Sequence, residues 1–148
     1  MSDATTGQDY VVAVVIATEV PPEPTGTFTA EMIPLALHAV CDVIRNRVAD
    51  PEFPDTAVQV VLQPKQFSAA CREDYWIRAM AGLWFPTHVA NAFTTWQAHT
   101  SPITDGACWY YSPVSMEPAG SQPAWIAGKR EVLVPGLDRG YFRFYAKE

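Results

Sequence analysis

The sequence predicts an α+β fold that is mainly helical, with short strands confined to the C-terminal third. Helical patterns of apolar residues fill the first two-thirds of the chain. After Pro102, short aromatic and β-branched runs stand between glycines and prolines. The length of 148 residues and the 49% share of hydrophobic residues fit one domain with a substantial core. We therefore expect residues 9–148 to form a single domain and residues 1–8 to be a loose N-terminus.

The first apolar segment, residues 9–18 (DYVVAVVIAT), is apolar on all sides and is predicted to be buried. Periodicity does not separate helix from strand here, and the β-branched content favours a strand. Three prolines between residues 21 and 24 then stop any regular element. Glu19 stands at the edge of the run, where partial burial would raise its pKa as a general acid requires. Glu23 lies deeper in the proline loop and is expected to be solvated. The alternative is that both glutamates lie in a surface loop.

The clearest helix is predicted over residues 30–48, because apolar residues recur there at a spacing of 3.6. The predicted stripe consists of Ile33, Leu37, Val40, Cys41, Ile44 and Val48. Thr29 is the expected N-cap. Arg45 and Arg47 are interpreted as ordinary cations of a last helical turn, where the helix dipole favours them.

Shorter elements follow. Asp55 or Thr56 is predicted to cap a short helix that ends at Leu62, and residues 87–99 are predicted to form another helix. Val89, Phe93 and Trp96 would form the inner face of that last helix. The predicted strands are residues 106–112, 131–134 and 141–145.

Composition excludes several functional classes. The net charge is −6 and the chain has no basic run, so nucleic-acid binding is not expected. The three cysteines, Cys41, Cys71 and Cys108, have no metal-type spacing and argue against both a disulfide framework and a zinc site. The apolar run of residues 10–17 is too short to span a bilayer and lacks a basic flank, so we expect no membrane insertion and synthesis in a cytoplasm. No metal or cofactor is predicted.

Several short motifs follow one another along nearly the whole chain. They are Glu19 with Glu23-Pro24 and Gly26, Asn46-Arg47-Val48, Phe53-Pro54-Asp55-Thr56, Gln66-Phe67, Gly106-Ala107 with Tyr110-Tyr111, Trp125, and Phe144-Tyr145. In this order they resemble the spore-cortex-lytic, SleB-type cell-wall hydrolase family. Two features depart from the family pattern: a longer segment between Gly26 and Asn46, and Arg143 where the family often has histidine.

The resemblance implies a lysozyme-like fold of the goose-type or lytic transglycosylase kind. It also implies cleavage of peptidoglycan between N-acetylmuramic acid and N-acetylglucosamine, with Glu19 as the acid. It favours a helix over residues 9–18. The residues expected to bind the glycan are Glu23, Gln66, Phe67, Tyr110 and Tyr111. Because strand residues alternate in direction, one of the two tyrosines is expected to be structural.

No carboxylate stands out as a partner for Glu19, since the family pattern gives no role to Asp42, Asp55 or Asp105. A single acid/base glutamate fits a lytic transglycosylase, in which the 6-hydroxyl of the sugar attacks and no second carboxylate activates water.

The sequence is also compatible with other functions. Cys71 or Cys108 could pair with His38, His88 or His99 as a cysteine amidase or peptidase, and His38 with Asp42 could bind a metal. A non-catalytic wall-binding or tail/baseplate module is the alternative from another class. The acidic charge and the absence of an export signal favour a phage or phage-like setting, with release by a holin or delivery on the virion beside tail or baseplate proteins.

Overall fold

The computed structural model describes residues 3–63, 85–98, 101–116 and 118–148. In this part of the chain the helices are α1 (Asp3–Glu19), α2 (Met32–Val48), α3 (Ala57–Val61) and α4 (Pro86–Ala98). The strands are β1 (Trp109–Tyr111), β2 (Lys129–Val132) and β3 (Arg143–Lys147). The predicted α+β class, mainly helical with short C-terminal strands, is confirmed.

Helix α1 supplies the core and packs against α2, α3 and α4. Every side chain from Val12 to Ala17 is buried. The strand favoured by the β-branched content is therefore wrong, and the helix implied by the family resemblance is correct. A helix enclosed on all sides can be apolar all round, and this packing outweighs the modest helix propensity of valine and isoleucine. The segment 1–8, expected to be a loose terminus, is helical from Asp3 onward.

Helix α2 presents the predicted apolar stripe to the core. Its buried members are Leu37, Val40, Cys41 and Ile44. The helix begins at Met32, two residues later than predicted. The expected Thr29 cap is wrong, because Glu31 is the N-cap residue and makes no side-chain hydrogen bond to the helix. The Thr29 carbonyl instead accepts from the Met32 amide at 3.1 Å, so a backbone turn leads into the helix.

Helices α3 and α4 follow the sequence prediction closely. Thr56 caps α3, with its hydroxyl accepting the Gln59 amide at 3.2 Å. Helix α3 ends at Val61, one residue before the predicted end. Val89 and Trp96 of α4 are buried, whereas Phe93 is partly buried against the core. Across the described residues, no helix has the length and apolar character needed to cross a membrane.

The three strands form an antiparallel sheet in the order β1-β3-β2. Strand β2 begins two residues earlier than predicted. Strand β3 begins two residues later than predicted, because Tyr141 belongs to the turn that precedes it. Tyr110 is paired with Phe144, so both side chains lie on one face of the sheet. Tyr111 and Tyr145 point to the other face.

The loop after Glu19 is tied to the C-terminal part of the chain. Thr25 and Phe28 exchange backbone hydrogen bonds at 3.0 and 2.9 Å around Gly26, whose φ is 54°. Phe28 is fully buried, with ring centroids 5.4 Å from Tyr141 and 5.9 Å from Phe142. This packing joins the end of α1 to the segment that enters β3.

Candidate active site

Glu19 is the last residue of α1, and its side chain is half-buried. Its Oε1 accepts a hydrogen bond from the Tyr110 hydroxyl at 2.6 Å. Tyr110 is the middle residue of β1 and lies 91 residues further along the chain. The fold therefore brings the predicted acid together with one of the two tyrosines that the sequence predicted to bind the glycan.

The Tyr110 hydroxyl is suited to act as a permanent donor. Its ring lies against Phe142 and Phe144, with centroids 6.1 and 5.6 Å away. Burial raises the pKa of Tyr110 well above its ordinary value, and the charge of Glu19 and their hydrogen bond raise it further. The hydroxyl thus stays protonated at physiological pH. A separation of 2.6 Å is typical of a hydrogen bond to a charged oxygen, and such a bond favours an ionised carboxylate.

Two polar residues at the end of α2 hold the segment that leads into β1. Asn46 Nδ2 donates to the Ala107 carbonyl at 2.8 Å, and Arg47 Nε donates to the Cys108 carbonyl at 2.6 Å. Because these bonds fix the backbone just before β1, they also fix the position of Tyr110.

Arg47 is more than the ordinary late-helix cation that the sequence suggested. It is only 3% exposed, and its Cζ lies 4.9 Å from the centroid of the Phe53 ring. Burial lowers the pKa of Arg47, while the nearby Tyr110, Cys108 and Glu19 oppose that shift. Arginine nevertheless keeps its charge in proteins. Because Arg47 also interacts electrostatically with Glu19, the site contains a buried cation close enough to affect the acid. The sequence contained one indication that Arg47 is buried: it lies three residues after Ile44, at the edge of the buried stripe of α2.

Glu23 is exposed in the proline loop, as its position in the sequence predicts. It lies at a cavity of about 440 Å³ between this loop, the start of α2 and the start of α4. Pro22, Ile33, Phe85, His88 and Asn91 also line this cavity. Glu23 therefore lines a surface cavity and does not share the half-buried environment of Glu19.

Tyr111 lies on the opposite side of β1 from Tyr110. It is buried, stacks on Tyr145 at 6.1 Å and meets the edge of Trp125 at 6.0 Å. The alternation expected for a strand thus separates the two tyrosines, and it is Tyr110 that donates to Glu19. The predicted glycan-binding residues Gln66 and Phe67 lie outside the described residues.

The three candidate partner carboxylates have other environments. Asp42 is buried, and its Oδ2 accepts from the backbone amides of Ile103 and Thr104 at 2.7 and 3.1 Å. Asp105 forms an exposed ion pair with Arg130 at 3.2 Å. Asp55 is exposed in the turn before α3. The structure thus gives Asp42 and Asp105 structural partners and leaves Asp55 on the surface.

The alternative chemistries find little support in the described part of the chain. Burial raises the pKa of Cys41 to about 12 and also raises the pKa of Cys108, so neither thiol is prepared as a nucleophile. Cys71 and His99 lie outside the described residues. His38 approaches Asp42 at 3.6 Å, but no group of three metal-ligating side chains forms among the residues described.

Comparison with known proteins identifies the family. The model of the cell wall hydrolase family matches residues 35–142. The chain belongs to the cell wall hydrolase family. It is therefore a peptidoglycan-cleaving enzyme, and peptidoglycan is its substrate. The matched segment contains Arg47 and Tyr110 and begins after Glu19, so the role of Glu19 depends on the geometry described above.

Two solved structures share the fold. The catalytic domain of the germination-specific lytic transglycosylase SleB from Bacillus anthracis is 20% identical, with a TM-score of 0.64. The likeness covers 98% of this chain and 96% of that one. The catalytic domain of the Bacillus cereus SleB protein is also 20% identical, with a TM-score of 0.58 and coverage of 95% and 89%. The predicted SleB-type, lysozyme-like fold is confirmed. No curated protein matches the chain significantly.

Proposed function

We propose that this cell wall hydrolase is a lytic transglycosylase that cleaves the glycan strand between N-acetylmuramic acid and N-acetylglucosamine, with Glu19 as its single acid and base. One observation carries the proposal. A half-buried glutamate ends α1, and the permanently protonated Tyr110 hydroxyl donates to its Oε1 at 2.6 Å. The similar protein from Bacillus anthracis is a germination-specific lytic transglycosylase, which agrees with this reaction.

The hydrogen bond assigns different tasks to the two oxygens of Glu19. Because Tyr110 donates to Oε1, that oxygen serves as an acceptor and the acidic proton belongs on Oε2. Oε2 donates its proton to the glycosidic oxygen as the bond from the muramyl C1 breaks. The hydrogen bond to Oε1 strengthens as the carboxylate gains charge, so Tyr110 stabilises the transition state more than the ground state.

The second half of the reaction uses the same carboxylate. The 6-hydroxyl of the muramyl residue attacks C1 and gives its proton to Oε2, which forms the 1,6-anhydro ring and restores the acid. This route needs no second carboxylate to activate water. A hydrolase would need one at roughly 5–5.5 Å or 6.5–9.5 Å from the acid. Asp42 and Asp105 are engaged with other groups, which favours the route through a single carboxylate.

The first test is a pair of isosteric substitutions. Glu19→Gln keeps nearly the same shape but cannot donate the proton, so release of soluble muropeptides from murein sacculi should fall by about 10²–10⁴-fold or more. Glu23→Gln, four residues away in the exposed loop, is the control and should cost clearly less. A folded Glu19→Gln variant with wild-type activity would rule out Glu19 as the acid, and loss confined to Glu23→Gln would move that role to Glu23.

The second test identifies the product. Mass spectrometry of the released muropeptides should show anhydro-muramyl ends, which are lighter than reducing ends by one water. A digest dominated by reducing ends would reject the transglycosylase route and leave Glu19 as the acid of a muramidase. A folded protein that releases no muropeptide from several wall types would instead be the non-catalytic wall-binding module.

A further inference from the structure

The carbonyls at the C-terminal end of α1 need donors from outside the helix, and the chain that follows supplies few. In an α-helix the carbonyl of residue i accepts from the amide of residue i+4. The corresponding donors for Ala17 and Val20 would come from residues 21 and 24, and both of these are proline. Proline has no N–H. The carbonyls of Ala17 and Val20, on either side of Glu19, therefore lack an i+4 donor, although an unpaired buried carbonyl is costly.

A side chain from another helix satisfies both carbonyls. His88, in the first turn of α4, is buried, and its Nε2 lies 3.1 Å from the Ala17 carbonyl and 2.9 Å from the Val20 carbonyl. Carbonyl oxygens only accept, so Nε2 must carry the proton that both contacts share. Helix α4 thereby supplies the donor that the prolines have removed from the chain after Glu19.

We infer that His88 is a positioning residue for Glu19. Its Nε2–H caps the last turn of α1 from α4 and so holds the Glu19 carboxyl in reach of the Tyr110 hydroxyl. The inference rests on the proposed role of Glu19 as the acid. A general acid works only when its proton lies within hydrogen-bond reach of the leaving oxygen. A displacement of about 1 Å is enough to cost on the order of 10²-fold in rate.

The protonation of the ring can be tested independently of the reaction. In the full chain labelled with ¹⁵N-histidine, the His88 resonances are identified by their loss in His88→Gln. We expect Nε2 to be protonated. An Nε2 without a proton would overturn the inference, because that nitrogen could not donate to either carbonyl.

Kinetics on soluble glycan strands, freed from their stem peptides, test the link to Glu19. His88→Leu fills similar space without a donor and should lower kcat by roughly 10- to 100-fold while KM changes less than about threefold. His88→Gln restores an N–H group near the position of Nε2 and should recover most of that loss. If the glutamine variant is no more active than the leucine variant, the donor is not what matters and the inference fails.

Val89→Ala is the matched control for a loss of packing between α1 and α4. Val89 is the next residue of α4, is 3% exposed and belongs to the hydrophobic core. The two variants are compared where they lower the melting temperature by the same amount. Under that condition we expect Val89→Ala to keep the wild-type kcat and His88→Leu to lose it. Equal kcat in the two variants would reduce His88 to a structural role. If His88→Leu does not fold, His88→Gln is compared with the wild type instead, and a loss of roughly 10- to 100-fold in its kcat overturns the inference.

The two proposals fail in different ways. An active Glu19→Gln variant would remove the proposed function, while the His88 spectrum would still report on the cap. An inactive Glu19→Gln variant together with a fully active His88→Leu variant would remove only the inference about His88.

Discussion

The hydrogen bond between Tyr110 and Glu19 gives the sharpest test of the site. Tyr110→Phe removes one oxygen atom and keeps the ring that packs against Phe142 and Phe144. A hydrogen bond to a charged group contributes about 1.5–3 kcal/mol. Since each 1.36 kcal/mol changes a rate about tenfold, complete loss of this contribution from the transition state corresponds to roughly 10- to 150-fold. The hydrogen bond also stabilises the ground state, and only the difference between the two states changes the rate. The calculated loss in rate is therefore an upper limit.

The assay is the initial rate of muropeptide release by the folded variant, compared with the wild type. Tyr145→Phe is the matched control, because Tyr145 is a buried tyrosine of the same sheet that points to the opposite face. We expect Tyr110→Phe to lose roughly tenfold in rate and Tyr145→Phe to stay within about threefold. Equal rates for Tyr110→Phe and the wild type would refute the idea that this hydroxyl stabilises the charged acid.

Two further substitutions test how the site is supported. Gly26→Ala should lower the free energy of unfolding by roughly 1–2 kcal/mol or more, because φ is 54° and the added Cβ would collide with the Tyr141 hydroxyl. An unchanged melting temperature would contradict this account of the loop after Glu19. Asp42→Ala should cost about 2–4 kcal/mol in urea unfolding, since the buried amide of Thr104 and the partly buried amide of Ile103 lose their acceptor. A loss below about 0.5 kcal/mol, as for an ordinary surface change, would show that these amides find other partners.

Local sequence signals predicted the elements whose structure is determined by local physics. The period of α2 depends on spacing and was predicted correctly, and the Thr56 cap of α3 depends on one side chain and was predicted as one of two candidates. The secondary structure of residues 9–18 depends on what surrounds them, so propensity alone gave the wrong answer. The shift of β3 follows a turn whose packing, with Tyr141 against Phe28, depends on a residue far away in the chain.

The candidate site shows the same division. Glu19 was predicted from an apolar run that ends in a carboxylate among prolines, together with the family resemblance. Its contact with Tyr110 spans 91 residues, and the sequence predicted both Tyr110 and Tyr111 as glycan-binding residues. His88 was missed as a donor, although the prolines already indicated that α1 needs one from elsewhere. The phage or phage-like setting and the mode of release stay predictions.

The position of Glu19 at the end of a helix explains why it needs these neighbours. The C-terminal end of a helix carries partial negative charge, so the backbone of the 17-residue α1 opposes a negative charge on its last residue. The Tyr110 hydroxyl and the buried cation of Arg47 act in the opposite direction and stabilise that charge. The proposed route, in which Glu19 first donates a proton and then accepts one, requires both protonation states to be accessible. The helix end favours the state that donates, and the pair from β1 and α2 favours the state that accepts. In the proposed transglycosylase route, these neighbours thus do for Glu19 what a partner acid does in a two-carboxylate hydrolase.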